Sequence, residues 1–435
     1  MYEYLDKEVR SLRSAVDYFH HYVWLTCEYG AQEETAAVIE SLKKTIAEAQ
    51  EKLASMTGDP ALKAAEPDDY DAITALSKGG NVPAKEIPDL DKRMLGALMG
   101  RFAGCMLGVP VEGWNSPDLK RYAESLGMEF PPVDYWTEVT NPEGVQYSID
   151  KRTHYRKGSI DGAAVDDDIT YTLLGYQIIK DYGPDFTTAD VGEAWKKYLT
   201  IACTAERVAL DNLKAGVPAE KAAEINNPFI QWIGADIRAD GFAYAAAGDP
   251  HLAARYGYRD AYLSHRRNGI YGEMFFAAAE AAAFTVDDPM EALHIALNEI
   301  PENCLLHKDL EWAFETCPSI HSYEEAVAAV NERFREQSHV HTNNNACLTV
   351  FGIYLGGRDF TKAIGETVAM GFDNDCTGAT VGSIVGACVG IDNIPAYWYK
   401  DFNGVVRTYM VGKPEYQITE VAADLAAMVR ARMAK

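Results

Sequence analysis

The sequence of 435 residues predicts an all-α protein in which a large helical domain follows an N-terminal helical hairpin. Three observations support this fold class. Apolar residues recur every three or four positions in the first 58 residues, which is the spacing of one helix face. Beyond about Arg93 the chain is rich in Ala and Gly and is typical of helices joined by short loops. Few segments alternate as strands would, and neither an internal repeat nor a low-complexity tract is found.

The hairpin is predicted over residues 1–58. Gly30 interrupts its two apolar stripes, and a cluster of helix-breaking residues from Ser55 to Pro60 ends it. Two interpretations stay open: the stripes pack on each other or on the main body, or they form an arm for dimerisation or for docking a partner. The stripe residues are Tyr2, Leu5, Val9, Leu12, Val16, Phe19 and Val23 in the first helix, and Ile39, Leu42, Ile46, Ala49, Leu53 and Met56 in the second.

A linker is predicted over residues 59–92, because this stretch is polar and carries several Pro, Gly and Asp residues. The third region, residues 93–435, is predicted to be one helical domain. Its length is sufficient for a large buried core.

The composition excludes several classes of function. With 40 Lys and Arg against 65 Asp and Glu, the formal charge is −25 and the isoelectric point is about 4.8. Such a surface repels nucleic acids and anionic membranes and attracts divalent cations. The eight cysteines form no C-x-x-C pair, which argues against a thiolate zinc site. We see no secretory signal and no apolar run of membrane-spanning length, so we expect a cytoplasmic protein without membrane or nucleic-acid partners.

A first group of acidic residues precedes an apolar helix. Asp166, Asp167 and Asp168 stand directly before a segment in which Ile169 and Leu173 begin one helix face. A carboxylate at a helix N-terminus is favoured by the helix dipole and can cap free N–H groups. Capping needs one carboxylate rather than three, so adjacent charges here indicate either a solvated loop end or a bound cation.

A second acidic group opens a glycine-rich helix. Asp373 and Asp375 precede glycines at positions 378, 382, 386 and 390, which share one helix face and predict the close approach of another backbone. An EF-hand loop is excluded, because Ile384 occupies the position of its bidentate Glu. If the two acidic groups meet, they form an oxygen-only site suited to Mg²⁺, with Mn²⁺ or Ca²⁺ as alternatives.

Three segments in this order resemble the ADP-ribosylglycohydrolase family. Residues 100–112 (GRFAGCMLGVPVE) follow its pattern G-x-x-x-G-D-x-x-G-x-P-x-E, with Cys105 in place of the usual Asp and with Glu112 kept. The acidic run matches T-D-D-[ST], with Asp166 at the Thr position and Ile169 at the hydroxyl position. Residues 371–376 match G-G-D-x-D-T, where Cys376 replaces the ligand Thr and the following Thr377 offers a compensating hydroxyl.

Two weaker matches lie between these segments. Residues 260–265 resemble the family's T-H segment, whose His contacts the ligand, and residues 234–238 resemble another stretch near its substrate pocket. The resemblance therefore implies that Arg238, Ser264 and His265 bind substrate. The hairpin lies outside the resemblance.

The resemblance implies an ADP-ribosylglycohydrolase-like helical fold with two Mg²⁺ ions. It also implies that Glu112 or Asp167 activates water for the cleavage of a glycosidic bond. The implied metal ligands are Asp166, Asp167, Asp168, Asp373, Asp375 and Thr377.

The natural substrate is left open by the sequence. An ADP-ribosyl group on a protein, attached through an N- or O-glycosidic bond, is the family's best-known substrate. Alternatives are a glycosidase or nucleosidase acting on a small ribosylated molecule, and a non-catalytic relative. The hairpin could dock a modified protein or form a homo-oligomer.

Overall fold

A computed structural model describes residues 2–56, 58–80, 86–335 and 337–434, and it divides the chain into two compact units, Met1–Ala61 and Leu62–Lys435. The protein is 66% helix and 4% strand, which confirms the predicted all-α class.

The smaller unit contains the predicted helical pair, α1 (Tyr2–Glu28) and α2 (Gln32–Ala54). The two helices meet near their turn, where the hydroxyl groups of Thr26 and Thr35 lie 2.8 Å apart and Thr35 is buried. Away from the turn the apolar stripe of α1 is exposed, and Leu12 keeps 66% of its surface accessible. The helices of the hairpin are therefore confirmed, while much of its apolar surface is left uncovered within the described chain.

The predicted linker needs correction. Its first part forms two short helices, α3 (Pro60–Ala65) and α4 (Tyr70–Ala75), and residues 62–80 belong to the larger unit. Glu66 is buried, pairs with Arg267 and accepts a 2.9 Å hydrogen bond from the backbone N–H of Leu305. Polar residues here are thus partners of buried groups rather than solvated linker positions. Residues 81–85 of the predicted linker lie outside the described residues.

Helices are the main elements of the larger unit, and in its described residues four short strands form two antiparallel pairs, β1 with β2 and β3 with β4. The remaining helices are α5 (Leu90–Gly108), α6 (Ser116–Ser125), α7 (Asp167–Tyr182), α8 (Thr188–Tyr198), α9 (Thr204–Lys214), α10 (Ala239–Ala245), α11 (Pro250–Ala261), α12 (Asn268–Ala283), α13 (Pro289–Ala296), α14 (Leu305–Thr316), α15 (Tyr323–Arg333), α16 (Thr342–Gly356), α17 (Phe360–Ala369), α18 (Asn374–Val389) and α19 (Ile418–Met433), and the strands are β1 (Val145–Gln146), β2 (Asp150–Lys151), β3 (Val405–Arg407) and β4 (Glu415–Gln417).

Helices α5 and α18 touch backbone to backbone at the centre of this unit. A methyl group added to Gly382 would lie 2.1 Å from the carbonyl oxygen of Gly100, and one added to Gly386 would lie 2.2 Å from that of Gly96. The predicted close approach is therefore confirmed, and its partner is the glycine-spaced helix α5. Gly390 differs from the prediction, because its φ of +73° ends α18 instead of extending the contact.

The same packing explains the apolar character of α5. By length and composition the stretch Leu90–Val111 could cross a membrane, with a mean hydropathy of 1.5, and the expectation that no run reaches this length was wrong. Within the fold, 94% of this apolar window is buried, as in the core helix of a soluble domain.

Candidate metal centre

The first acidic group caps α7. Asp166 is the residue before the helix, and its side chain accepts a 3.2 Å hydrogen bond from the backbone N–H of Asp168. The segment leading into it is held in place by β3, since the N–H of Ala163 donates to Val405 and the carbonyl of Ala163 accepts from Arg407, both at 2.9 Å. Asp166 and Asp168 are buried, while Asp167 is partly accessible.

The second acidic group lies at the start of α18. Asp375 packs against the end of α5 so tightly that a methyl group on Gly108 would lie 2.3 Å from the Cα of Asp375. Because Glu112 follows Gly108 by one turn, the contact between α5 and α18 also brings Glu112 to this group. Asp373 and Asp375 are 7% and 2% accessible.

The two acidic groups converge. One oxygen each from Glu112, Asp373 and Asp375 lie within 4.8 Å of one another, and so do oxygens of the three consecutive Asp residues. A third set joins the groups, since oxygens of Asp168 and Asp375 lie within the same distance of the sulfur of Cys376. Spacing along the chain could not show this convergence, and the structure supplies it.

Crowding of the carboxylates raises their pKa values. Burial is the largest cause for Asp166, Asp168 and Asp375, and repulsion by neighbouring carboxylates adds to it. Glu112 is the most accessible member and has a pKa of about 8, raised by desolvation and then by Asp373 and Asp167. Each raised pKa means that the negatively charged form of the carboxyl group is disfavoured. A bound cation would therefore stabilise the charged form of the whole cluster.

The two cysteines that depart from the family pattern face these carboxylates. The thiol of Cys376 lies 3.1 Å from Oδ2 of Asp168 and 2.9 Å from Oδ1 of Asp373, and its single proton can serve one of them at a time. Burial and the surrounding carboxylates raise its pKa well above the usual range, so the thiol is neutral. Cys105 donates in the same way to Asp166 at 3.5 Å. Thr377 turns away, because its hydroxyl donates to the backbone carbonyl of Asp373 at 3.0 Å.

An arginine enters the cluster from α5. The guanidinium group of Arg101 is fully buried and donates to Oδ1 of Asp168 at 2.7 Å. It also donates to the carbonyl oxygen of Ile237 at 2.9 Å and to the hydroxyl of Thr380 at 3.0 Å. Arg101 could not be recognised from the sequence, since an isolated Arg in an apolar helix carries no pattern that indicates its partner.

A cavity of about 140 Å³ opens beside the carboxylates. Glu206 forms part of its wall and was also missed, although it stands in the first turn of α9. Burial raises the pKa of Glu206 to about 7 against the lowering effect of Arg238. The lining includes the acidic residues Glu112, Asp167, Glu206, Asp373 and Asp375, the aromatic residues Tyr147, Tyr171 and Trp232, and the thiols of Cys203 and Cys376.

The residues predicted to bind substrate lie behind this wall. Arg238 donates to Glu206 at 2.6 Å and to Ser264 at 3.1 Å, and it also pairs with Asp260. His265 accepts or donates a 2.8 Å hydrogen bond with Ser264, and its Nε2 is 3.9 Å from Glu206. None of the three is among the described residues that line the cavity. They hold Glu206 in position, and Glu206 is the side chain that reaches the cavity.

Comparison with known proteins gives the class of the domain. A chain in a solved structure described as an "ADP-ribosylglycohydrolase-related protein complex" is similar in fold, with a TM-score of 0.53 and 21% identity over 79% of this chain and 98% of the other. The family model described as ADP-ribosylglycohydrolase matches residues 86–434. This chain therefore belongs to the ADP-ribosylglycohydrolase family. A search of curated proteins finds no match.

The family is typically metal-dependent, and the residues of this chain fit a hard divalent cation at one place. Oδ1 of Asp375 is buried and has no hydrogen-bond partner among the residues that the structure describes. Together with Glu112 and Asp373 it offers carboxylate oxygens, which Mg²⁺ and Mn²⁺ prefer. At Asp168 the donor set is different, because a guanidinium group and a neutral thiol already occupy its two oxygens.

Proposed function

We propose that this protein hydrolyses the N- or O-glycosidic bond of an ADP-ribosyl group with the help of a divalent cation, Mg²⁺ in the first instance. One observation carries the proposal. Six carboxylates from three segments of the chain meet beside a cavity, and a buried oxygen of Asp375 is left without a partner. Such an arrangement costs stability unless it serves a bound ligand, and a cation is the ligand that this charge favours.

Glu112, Asp373 and Asp375 would hold the cation. When bound, it would orient the diol of a ribose and polarise a water molecule. Glu112 and Asp167 both line the cavity and are the more accessible carboxylates, so either can accept a proton from water as the glycosidic bond breaks. The negative charge around the cavity also suits the oxocarbenium-like transition state of glycoside cleavage.

A second candidate function follows from the size of the cavity. Its volume of about 140 Å³ is small beside the roughly 300–1,000 Å³ of sites for drug-sized ligands. A site of this size favours a single sugar ring, as in a nucleosidase or a glycosidase acting on a small ribosylated molecule.

A surface groove supports the larger substrate. It has a volume of about 520 Å³ and begins at Gly113 and Trp114, directly after Glu112 in the chain. Tyr122 and Arg121 also line it and could contact an aromatic base or a phosphate. An ADP-ribosyl substrate could therefore place its ribose in the cavity and extend outward.

The test is a direct assay of released sugar. Purified protein with Mg²⁺ is incubated with ADP-ribosylated protein and, separately, with a panel of nucleosides, and the products are separated by chromatography. We expect free ADP-ribose from the modified protein and none from Asp375→Asn. Release of ribose from nucleosides alone would support the second candidate, and no release from either substrate would overturn both.

A further inference from the structure

We infer that the acidic centre holds one divalent cation rather than two, and that the guanidinium group of Arg101 takes the place of a second cation at Asp168. This inference rests on the proposed metal-dependent function. It concerns Arg101, which the sequence alone did not connect to the acidic residues, and Cys376, which departs from the family pattern.

The two halves of the centre differ in how well their oxygens are satisfied. Oδ1 of Asp168 accepts from Arg101 at 2.7 Å, and Oδ2 lies 3.1 Å from the thiol of Cys376. Oδ1 of Asp166 likewise accepts from the N–H of Asp168 at 3.2 Å and from Cys105 at 3.5 Å. On the other side, Oδ1 of Asp375 has no hydrogen-bond partner among the described residues. Asp168 therefore already has a permanently charged partner in Arg101, whereas Asp375 has none.

Arg101 cannot easily leave its position. Its side chain is fully buried, it donates to the hydroxyl of Thr380 and to the carbonyl oxygen of Ile237, and its Nε lies 3.2 Å from Oδ2 of Asp240. A guanidinium group stays protonated under all ordinary conditions. It therefore places a permanent positive charge next to Asp168, where it would repel a second cation.

The remaining donor at this position is also unsuited to a second hard cation. Cys376 stands where the family pattern has a Thr hydroxyl, and sulfur is a poorer ligand than oxygen for hard cations such as Mg²⁺ or Mn²⁺. Charge and ligand chemistry thus agree, since both disfavour a metal at Asp168 and leave the position at Glu112, Asp373 and Asp375 intact.

Metal stoichiometry tests the inference without any assay of activity. Full-length protein is stripped with a chelator and titrated with Mn²⁺, with binding followed by calorimetry and by electron paramagnetic resonance. We expect one Mn²⁺ per chain and the spectrum of an isolated ion. Two ions per chain with an exchange-coupled spectrum would overturn the inference and leave the proposed function standing. No bound Mn²⁺ would overturn the proposed metal site itself.

Variants identify the residue responsible. The double variant Arg101→Met with Cys376→Thr removes the guanidinium charge and supplies a hydroxyl ligand, so we expect it to bind a second Mn²⁺. One ion in this folded variant would contradict the role of Arg101. Cys376→Thr alone keeps the guanidinium group and should still bind one ion. If the double variant does not fold, the wild-type stoichiometry and spectrum decide.

A matched control is available on the same helix. Arg93 is also buried in α5, but it donates to the backbone carbonyls of Ala283, Val286 and Ala387 and pairs with Asp287. Arg93→Met removes a buried guanidinium group away from the acidic centre. It should leave the stoichiometry at one, and a second ion in this variant would show that the loss of any buried Arg has the same effect.

Discussion

Helix α1 of the smaller unit and helix α5 of the larger unit are both long helices with apolar residues at helical spacing, yet their surroundings are opposite. In α5 the residues Met94, Ala97 and Phe102 are completely buried, whereas Leu12 and Val9 of α1 are 66% and 62% accessible. Apolar periodicity therefore predicted both helices without predicting which of them is covered.

The difference lies in the small residues between the apolar ones. Helix α5 carries a glycine at every fourth position, which admits the backbone of α18 and so fixes the acidic groups at its end. Helix α1 has large side chains such as Leu5, Val9 and Leu12 on its apolar face and contains no glycine. A buried core helix and an exposed helix can thus share one period and differ in side-chain size.

The largest effect is expected where the two backbones touch. Gly382→Ala would place a methyl group 2.1 Å from the carbonyl oxygen of Gly100, a contact that only a shift of one helix can relieve. We predict a loss of about 3 kcal/mol or more in the free energy of unfolding, measured by urea denaturation.

Gly192→Ala in α8 is the control for this change. Its added methyl group would lie 3.2 Å from the Cβ of Ala219 and 3.3 Å from a methyl group of Leu213, contacts that a shift of a few tenths of an ångström relieves. The gain in helix propensity of roughly 1 kcal/mol should offset the crowding, so its stability should stay near that of wild type. Equal losses in both variants would show that the contact between α5 and α18 has no special role.

The second largest effect is expected for the carboxylate of Asp375, which the contact between α5 and α18 buries. Asp375→Asn removes a carboxylate whose Oδ1 has no partner, so we predict that the metal-free protein becomes more stable by about 1–2 kcal/mol. Turnover should fall at least about 100-fold, and Mg²⁺ should no longer raise the melting temperature.

Asp181→Asn provides the contrast. Asp181 accepts hydrogen bonds from Gln177, Lys197 and Tyr198 outside the acidic centre, so its loss should lower stability slightly and leave turnover unchanged. If Asp375→Asn were instead destabilising with normal turnover, Asp375 would be a structural residue and the metal proposal would lose its main support.

A third prediction compares how a buried and an exposed carboxyl group contribute to the pH dependence of the free energy of unfolding. The pKa of Glu206 rises from its ordinary 4.5 to about 7 in the folded protein. Between these values the folded state keeps a proton that the unfolded state releases, so stability falls as pH rises through this window, by roughly 3 kcal/mol in total. In Glu206→Gln this contribution should vanish.

Urea denaturation at pH 5 and pH 8 measures the effect as the difference between wild type and variant. Glu51→Gln in α2 is the control, because Glu51 is exposed and should leave the pH dependence as it is in wild type. A pH dependence that survives Glu206→Gln unchanged would place the responsible carboxyl group elsewhere.

The helices and the close approach at α18 could be predicted from the sequence, because apolar periodicity and glycine spacing depend on local helix geometry. The partner of that glycine face was also within reach, since Gly96, Gly100, Gly104 and Gly108 share its four-residue spacing. The predicted linker was wrong for a physical reason. Polarity indicates exposure only where the polar group has no partner, and Glu66 pairs with Arg267 inside the larger unit.

The candidate site was predictable only in part. The acidic residues stood out because several carboxylates at one helix end exceed what capping needs. Arg101 and Glu206 did not, since their roles depend on partners that are 67 and 32 residues away. Long-range pairing of single charged residues leaves no local pattern, and three-dimensional placement is required to see it.

Substitutions on the exposed apolar stripe of α1 should have the smallest effect on the free energy of unfolding. They should have a clear effect on the oligomeric state. We predict that a second copy of this chain covers it. In a heptad repeat with positions a to g, Val9 and Val16 occupy position a and Leu5 and Leu12 occupy position d. Val at position a with Leu at position d favours a parallel two-stranded coiled coil. In that register Glu8 of one copy faces Arg13 of the other, which gives an attractive pair beside the seam.

Light scattering after size exclusion tests this on the full-length chain. Wild type should have the mass of a dimer, and Val9→Lys with Val16→Lys should be a monomer, because two charges would be buried in the seam. Tyr18→Lys is the control, since Tyr18 is 71% accessible but lies off the stripe and should leave the dimer intact. A monomeric wild type would overturn the dimer prediction, and helical period with large apolar side chains would then not be enough to make α1 pair with its own copy.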